Sequence, residues 1–248
     1  KIYCDNDRKA ENTLAHLVRQ SYAGIIPSIK GEAREYTSIA KTCDMLNFAR
    51  ASFNKAIKTA VTSFSALESQ YPLVRLSDKE CFSISIGKRV LGTETNENGR
   101  IPVFSANVHE PFGMVNKLLI SDFDVASVLW GIDGDWMVRY MPENNEFYPT
   151  DHCGVLRVKT KEINTYYLAM ALDIVGQQYM FSRTNRASID RIEEVKLPMP
   201  PKPIQDKVAD VCQEIDVEFR GSRMTVDEYR KKIKEIFINY RIFENLLA

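Results

Sequence analysis

No apolar run in this 248-residue chain approaches the roughly 20 residues that a membrane-spanning helix needs. Residues 1–20 are polar and mixed in charge, so no signal peptide is visible. The five cysteines (Cys4, Cys43, Cys81, Cys153 and Cys212) are odd in number and far apart. That excludes a disulfide framework and reads as a reducing, cytoplasmic setting. Three histidines (His16, His109 and His152) and no CxxC leave no ordinary zinc site, and no Walker loop is present. Glu194 and Lys196 have the ExK spacing of some nucleases, but without clustered carboxylates they read as a surface turn. A start at Lys1 in place of Met reads as a fragment of something longer.

Net charge is missing as well, since 33 basic residues meet 33 acidic ones. Residues 1–70 hold 10 basic and 7 acidic residues, residues 71–200 hold 14 and 17, and residues 201–248 hold 9 and 9. A domain that gripped nucleic acid by bulk charge would be clearly basic. If this chain binds a polyanion, its positive charge has to be gathered on one face or supplied by a partner.

What is present is organised around Ile101–Tyr140. Ile101–Phe104, Met114–Ile120, Val125–Trp130 and Trp136–Tyr140 are β-branched and aromatic runs of strand length. Gly113, Gly131 and Gly134, with Pro111, read as tight turns between them. Phe82–Gly87 alternates like a strand, and His152–Val158 gives another. Ile163–Gln177 reads as an amphipathic helix, Ile189–Ile192 as a short turn, and Val195–Met199 as a last extended segment. Trp130 and Trp136 fit the core of such a block better than stacking platforms. Asp133 and Asp135 read as turn formers, and His152 and Cys153 as structural, because neighbours along a strand point to opposite faces.

Helical patterns flank the block. Residues 7–23 predict a helix ended by Gly24 and Pro27. From about residue 32 to 69 a heptad runs through Tyr36, Ile39, Cys43, Leu46, Phe53, Ile57, Phe64 and Leu67, a helix of roughly 50 Å. A second heptad runs from Ile204 to Leu247 behind Pro200, Pro201 and Pro203, and its phase survives Gly221. One long helix, kinked at that glycine, is expected, with its apolar stripe against the first. The sequence therefore predicts a mixed α+β fold: a helical spacer over 1–70, a twisted β-rich domain over 71–200, and a long helix over 201–248 pairing antiparallel with the first in coiled-coil fashion.

IPVFSAN…FG…V, SVLWGIDGDWMV and YPTDHCGVLRV resemble the target recognition domain of type I restriction–modification specificity subunits. ASIDRIEEVKLPMPPKPIQDKVADVCQEID resembles the segment that closes such domains, with Gln205 on the first turn of its helix. The likeness covers about residues 71–220. It implies loops that enter the DNA major groove and helices that act as a ruler against partner subunits. This chain has one such block where whole specificity subunits carry two, which suits the C-terminal part of a fused N6-adenine methyltransferase or a half-subunit that dimerises. The implied partners are double-stranded DNA, a methyltransferase domain or subunit, a restriction subunit, or a second copy of the chain.

The [DNS]PP[YFW] tetrapeptide and Gly-rich turn of such methyltransferases are absent, and the only PP follows Met199. No catalysis and no cofactor are expected here; S-adenosylmethionine and magnesium belong to missing or partner domains. Base edges need paired donors and acceptors, and phosphates need cations or small hydroxyls. Lys88, Arg89, Ser105, Asn107, His109, Arg139, Arg183, Asn185 and Arg186 are the candidates for DNA contact. The alternative from another class is a coiled-coil interaction module that docks a methyltransferase or nuclease without reading bases.

Overall fold

The structure, a computed structural model, describes residues 14–25 and 68–244. The chain divides into two units, Lys1–Phe64 and Ser65–Ala248. In the first, the described residues form helix α1 (Leu14–Tyr22). The heptad expected over 32–69 falls almost wholly outside the described residues, and so does its pairing with the C-terminal stripe.

The second unit is built on an antiparallel sheet of four strands in the order β2 (Phe82–Ile86), β8 (Cys153–Val158), β5 (Ser127–Gly131), β6 (Val138–Met141). The central strands are mostly apolar, and β5 is buried along its whole length. The edge strand β2 keeps Ser83 and Ser85 exposed, as its alternation predicts. A second sheet has the order β4 (Gly113–Val115), β3 (Ile101–Phe104), β7 (Tyr148–Pro149), with β3 and β7 parallel. A two-stranded ribbon joins β1 (Leu73–Arg75) to β9 (Lys196–Pro198). The strand expected over Met114–Ile120 stops at Val115, because β3 offers partners only at Ile101, Pro102 and Val103.

Gly113 and Gly131 lie inside strands, not in the turns expected of them. Gly154, on β8 opposite Trp130, has the clearest steric reason to be glycine. A Cβ there would meet the indole carbons at 2.1 Å. The ring fills that space, is fully buried, and donates its Nε1–H to the carbonyl of Ala187 at 2.9 Å. Trp136 is likewise core, with its Nε1–H on the carbonyl of Asp173 at 3.0 Å.

Helix α2 (Thr165–Gln178) packs on β5 and β6. Asn164 caps it, accepting from the N–H groups of Tyr166 and Tyr167. The expected amphipathic pattern is incomplete, because residues on nearly every side are buried (Tyr166, Tyr167, Leu168, Ala171, Ile174 and Val175 among them). The cause is that α2 is sandwiched. Beyond the short α3 (Ile189–Ile192), helices α4 (Lys202–Gly221) and α5 (Val226–Asn239) cover its other side.

One long C-terminal helix was the expectation, and two are found. Thr225 accepts from Glu228 N–H while the Glu228 carboxylate accepts from Thr225 N–H, a capping box that begins a new helix. The chain turns back over Ser222–Thr225, and Lys232 of α5 pairs with Glu218 of α4 at 2.6 Å. Much of the apolar stripe is used within this unit. Val208, Cys212, Ile233, Ile236 and Phe237 are buried in the core around α2, with Phe237 stacked on Tyr167. Each such side chain contributes about 1.5–3 kcal/mol gross.

The signature Gln205 has a structural task. Its amide N–H groups donate to the carbonyls of Pro200 and Glu162 at 2.8 and 3.1 Å, and its Oε1 accepts from Asn164 N–H at 2.8 Å. It thus ties the start of α4 to the cap of α2.

Replacing Gly154 by alanine drives a methyl group into the Trp130 ring, and overpacking of this kind costs about 1–3 kcal/mol. Urea unfolding should show a lower midpoint with an unchanged slope; an unaltered midpoint would show that the ring can give way.

Candidate nucleic-acid interface

The register of the four-stranded sheet decides which loops meet. Ile86 pairs with Gly154, Gly131 with Cys153, and Trp130 with Val138. The C-terminal ends of β2 and β5 and the N-terminal ends of β6 and β8 therefore lie at one end of the sheet. Thr150 joins the neighbouring sheet to this end: its N–H donates to the Phe104 carbonyl at 2.9 Å, and its hydroxyl bonds the Ser105 hydroxyl at 3.0 Å. All nine sequence candidates gather on or beside this end.

They do not do the same work. Lys88 and Arg89, past the end of β2, and Arg183, in the 182–187 loop, are exposed and make no side-chain hydrogen bond or ion pair among the described residues. Ser105 is committed to Thr150. Asn107 closes its own loop, its Oδ1 accepting from the N–H groups of His109 and Glu110 at 2.9 and 3.2 Å. Arg139 lies 4.9 Å from the Phe104 ring and donates to the carbonyls of His109 and Val108 at 2.8 and 3.3 Å. Asn185 is spent internally, donating to the Tyr179 carbonyl at 2.9 Å and accepting from Arg191 at 2.7 Å. Arg186 is paired with Asp133.

The 105–110 loop is set down on the sheet by a small residue. A Cβ on Gly131 would meet the Ala106 carbonyl oxygen at 2.2 Å, so only glycine lets this loop approach β5. The 182–187 loop is tied in by backbone, through Ala187 N–H to the Ile132 carbonyl at 3.0 Å, and by Trp130.

Charge is mixed at both ends of the strands, with cations in slight excess at one and carboxylates at the other. The end just described carries Lys88, Arg89, Arg139, Arg183 and Arg186, and with them Glu110, Asp133, Asp135 and Asp151. The opposite end gathers Asp78, Glu80, Asp122, Asp124 and Glu143 around Lys79, Arg157 and Lys159. Arg157 is held there by Asp122 and by the Ser127 hydroxyl. The helices add cations that sequence reasoning did not find. Arg220 of α4 and Arg230 of α5 are close enough to act on the charges of Arg139 and His109. Both read as solvated helix residues until the fold-back of α5 is known. Asp133 was missed too, having been read as a turn former. It binds Arg186 and the Nδ1 of His152.

The sequence pattern of the type I restriction modification DNA specificity domain matches residues 76–220 of this chain. A protein of Mycoplasma pneumoniae named as a type I specificity subunit is 33% identical over 118 residues, 46% of this chain and 31% of that protein. The specificity subunit of the type I restriction enzyme MpnII, from the same organism, is 31% identical over 118 residues, 47% of this chain and 35% of its own length. Among solved structures, the S subunit of a type I restriction–modification system from M. genitalium is similar at 19% identity and a TM-score of 0.48, over 75% of this chain and 49% of that one. The chain thus spans about a third of the length of those two relatives and about half of that solved subunit.

His109 offers a probe of this end. Surrounding protein atoms, then Arg139 and Arg230, hold its pKa below the usual 6.5, although the residue keeps solvent contact that moderates the effect. The unfolded chain takes up the proton near 6.5 while the folded chain resists it. Stability must fall as pH drops through the window just below that value, and above it the contribution is absent. The His109→Gln variant should lose less Tm than the parent between pH 6.5 and 5. Parallel Tm–pH curves would remove His109 from the acid response.

Proposed function

Because this chain belongs to the type I restriction modification DNA specificity domain family, we propose that it recognises a particular sequence of double-stranded DNA for a restriction–modification system, without catalysis of its own. The observation that carries this is the convergence of three cations, unpaired among the described residues, and two ordered polar loops on one end of the sheet. The candidates then divide by what their side chains have left to offer. Lys88, Arg89 and Arg183 have ammonium or guanidinium groups to spare and meet phosphates. Arg186, His109 and the Nδ2 of Asn107 face base edges, in a major groove about 12 Å wide. Ser105, Arg139 and Asn185 shape the loops that present them.

The partners in this proposal are a methyltransferase domain or subunit, a restriction subunit, or a second copy of the chain. S-adenosylmethionine and magnesium are held by those partners, and the complex acts in the cytoplasm. Whether the methyltransferase is fused to this chain or separate makes no difference to the DNA-facing end.

Charge reversal tests the phosphate assignment. Lys88→Glu, Arg89→Glu and Arg183→Glu together should weaken duplex binding more than tenfold. They should also flatten the slope of log K against log salt by about 0.9 for each phosphate that is no longer neutralised. The measurement is a fluorescence-anisotropy titration over a salt series. Equal affinity and slope in parent and variant would move the DNA away from this end of the sheet.

A further inference from the structure

Arg186 is the one cation of this end, among the described residues, whose guanidinium is held in a fixed orientation by a carboxylate. Its Nε and Nη2 lie on the two oxygens of Asp133, the Nη2 contact at 2.7 Å. Asp133 is itself restrained by the Nδ1 of His152, which also lies 3.4 Å from Arg186 Nη2. His152 in turn has Asp151 at 3.8 Å from its Nε2. Behind the arginine, its own carbonyl accepts from Arg191 at 2.8 Å, and the next residue, Ala187, is fastened to Ile132 and Trp130. Backbone and side chain are therefore both fixed, yet half of the side-chain surface (51%) remains exposed.

A guanidinium has two edges that can donate paired hydrogen bonds. Asp133 occupies the edge formed by Nε and Nη2. On the remaining edge, formed by Nη1 and the second Nη2 hydrogen, Nη1 has no partner among the described residues, and the one atom near Nη2, His152 Nδ1 at 3.4 Å, cannot accept from it when its own N–H is donated to Asp133. Two parallel N–H donors on a planar group match the O6 and N7 acceptors of guanine in the major groove, a pattern no other base presents there. An arginine free to rotate would gain the same contact only after losing side-chain entropy, and could spend its charge equally well on a phosphate. The geometry points to Arg186 as a reader of one guanine, with Asp133 as the positioning residue that aims it and His152 as its brace. This rests on the proposal above that this end of the sheet faces DNA. It goes beyond it in naming a base, an edge and a residue whose negative charge promotes specificity while opposing affinity.

Three variants of the full chain separate these effects: Arg186→Lys, Asp133→Ala, and the two combined. Each is carried through selection from a pool of duplexes with a randomised core, followed by titration of the enriched duplex and of single-base-pair substitutions within it. Arg186→Lys keeps the charge and loses the fork. It should abolish a preference for guanine at one position, roughly ten- to hundredfold in the parent, and leave the other positions and the salt slope unchanged. Asp133→Ala should erode the same preference at the same position while binding to non-cognate duplex stays level or rises. The double variant should lose no more preference than the lysine variant alone, with Tm held within a few degrees throughout. If the parent enriches a sequence but neither variant alters the preference at any one position, Arg186 does not read a base, and the DNA-recognition proposal stands without it. If the parent enriches no sequence, both fail together.

Discussion

The indole of Trp130 joins the two halves of the design. Its ring occupies the space that Gly154 leaves open in the middle of the sheet, and its N–H holds the carbonyl of Ala187, at the foot of the 182–187 loop. A buried indole N–H without a partner would cost about 1–3 kcal/mol, so core packing and loop placement are settled by one side chain. The same economy appears on the other side of the sheet end, where Gly131 admits the Ala106 carbonyl and brings the 105–110 loop down on β5. Loops fixed in this way keep their side chains in register with one another. That is what separates a surface able to compare sequences from one that merely attracts polyanions.

The neutral composition, which at first counts against a nucleic-acid partner, is explained by position. Glu110, Asp133, Asp135 and Asp151 share the end of the sheet with the cations, Asp133 being taken up by Arg186, while the carboxylates beyond the starts of β2 and β5 and the end of β6 sit at the far end from Lys88, Arg89 and Arg183. At a Debye length of about 8 Å under physiological salt, exposed charges that far off contribute little to the field at the basic end. Equal totals therefore coexist with three cations at this end that no carboxylate among the described residues neutralises. A regional count along the chain cannot reveal them, because both ends of every strand fall into the same region of sequence.

Much of the fold was legible. The alternation of Phe82–Ile86, the apolar runs at Ile101–Phe104, Val125–Trp130 and His152–Val158, and the helix from Ile163 follow from side-chain chemistry alone. So did the core placement of both tryptophans. Illegible were features fixed by long-range partners. Strand β7 is two residues long and exists because β3 passes beside it, and β1 exists because β9 returns to it. The C-terminal heptad misled for a related reason. Its phase survives the turn, because α4 and α5 bury their stripes in the same core around α2, so periodicity alone could not distinguish one helix from two. The discriminating signal was in plain view: Thr225 three residues before Glu228 is a capping box and marks a helix start.

At the basic end, residue type told which side chains could bind and not which were free to. Nine candidates chosen for their donors and acceptors proved to be three kinds. Some are unattached, some are consumed in holding a loop, and Arg186 is held with one edge to spare. The difference between Arg139 and Arg183 lies in their neighbours, and those neighbours come from other strands and loops. Asp133 shows why this matters for function. Read in sequence, an aspartate beside glycine is a turn former, and read against a polyanion it is a defect. Placed beside Arg186 it gives up attraction for orientation. A cation that any phosphate can satisfy carries no sequence information, whereas one that presents a single planar edge can be satisfied fully only by a base with two acceptors at the matching spacing.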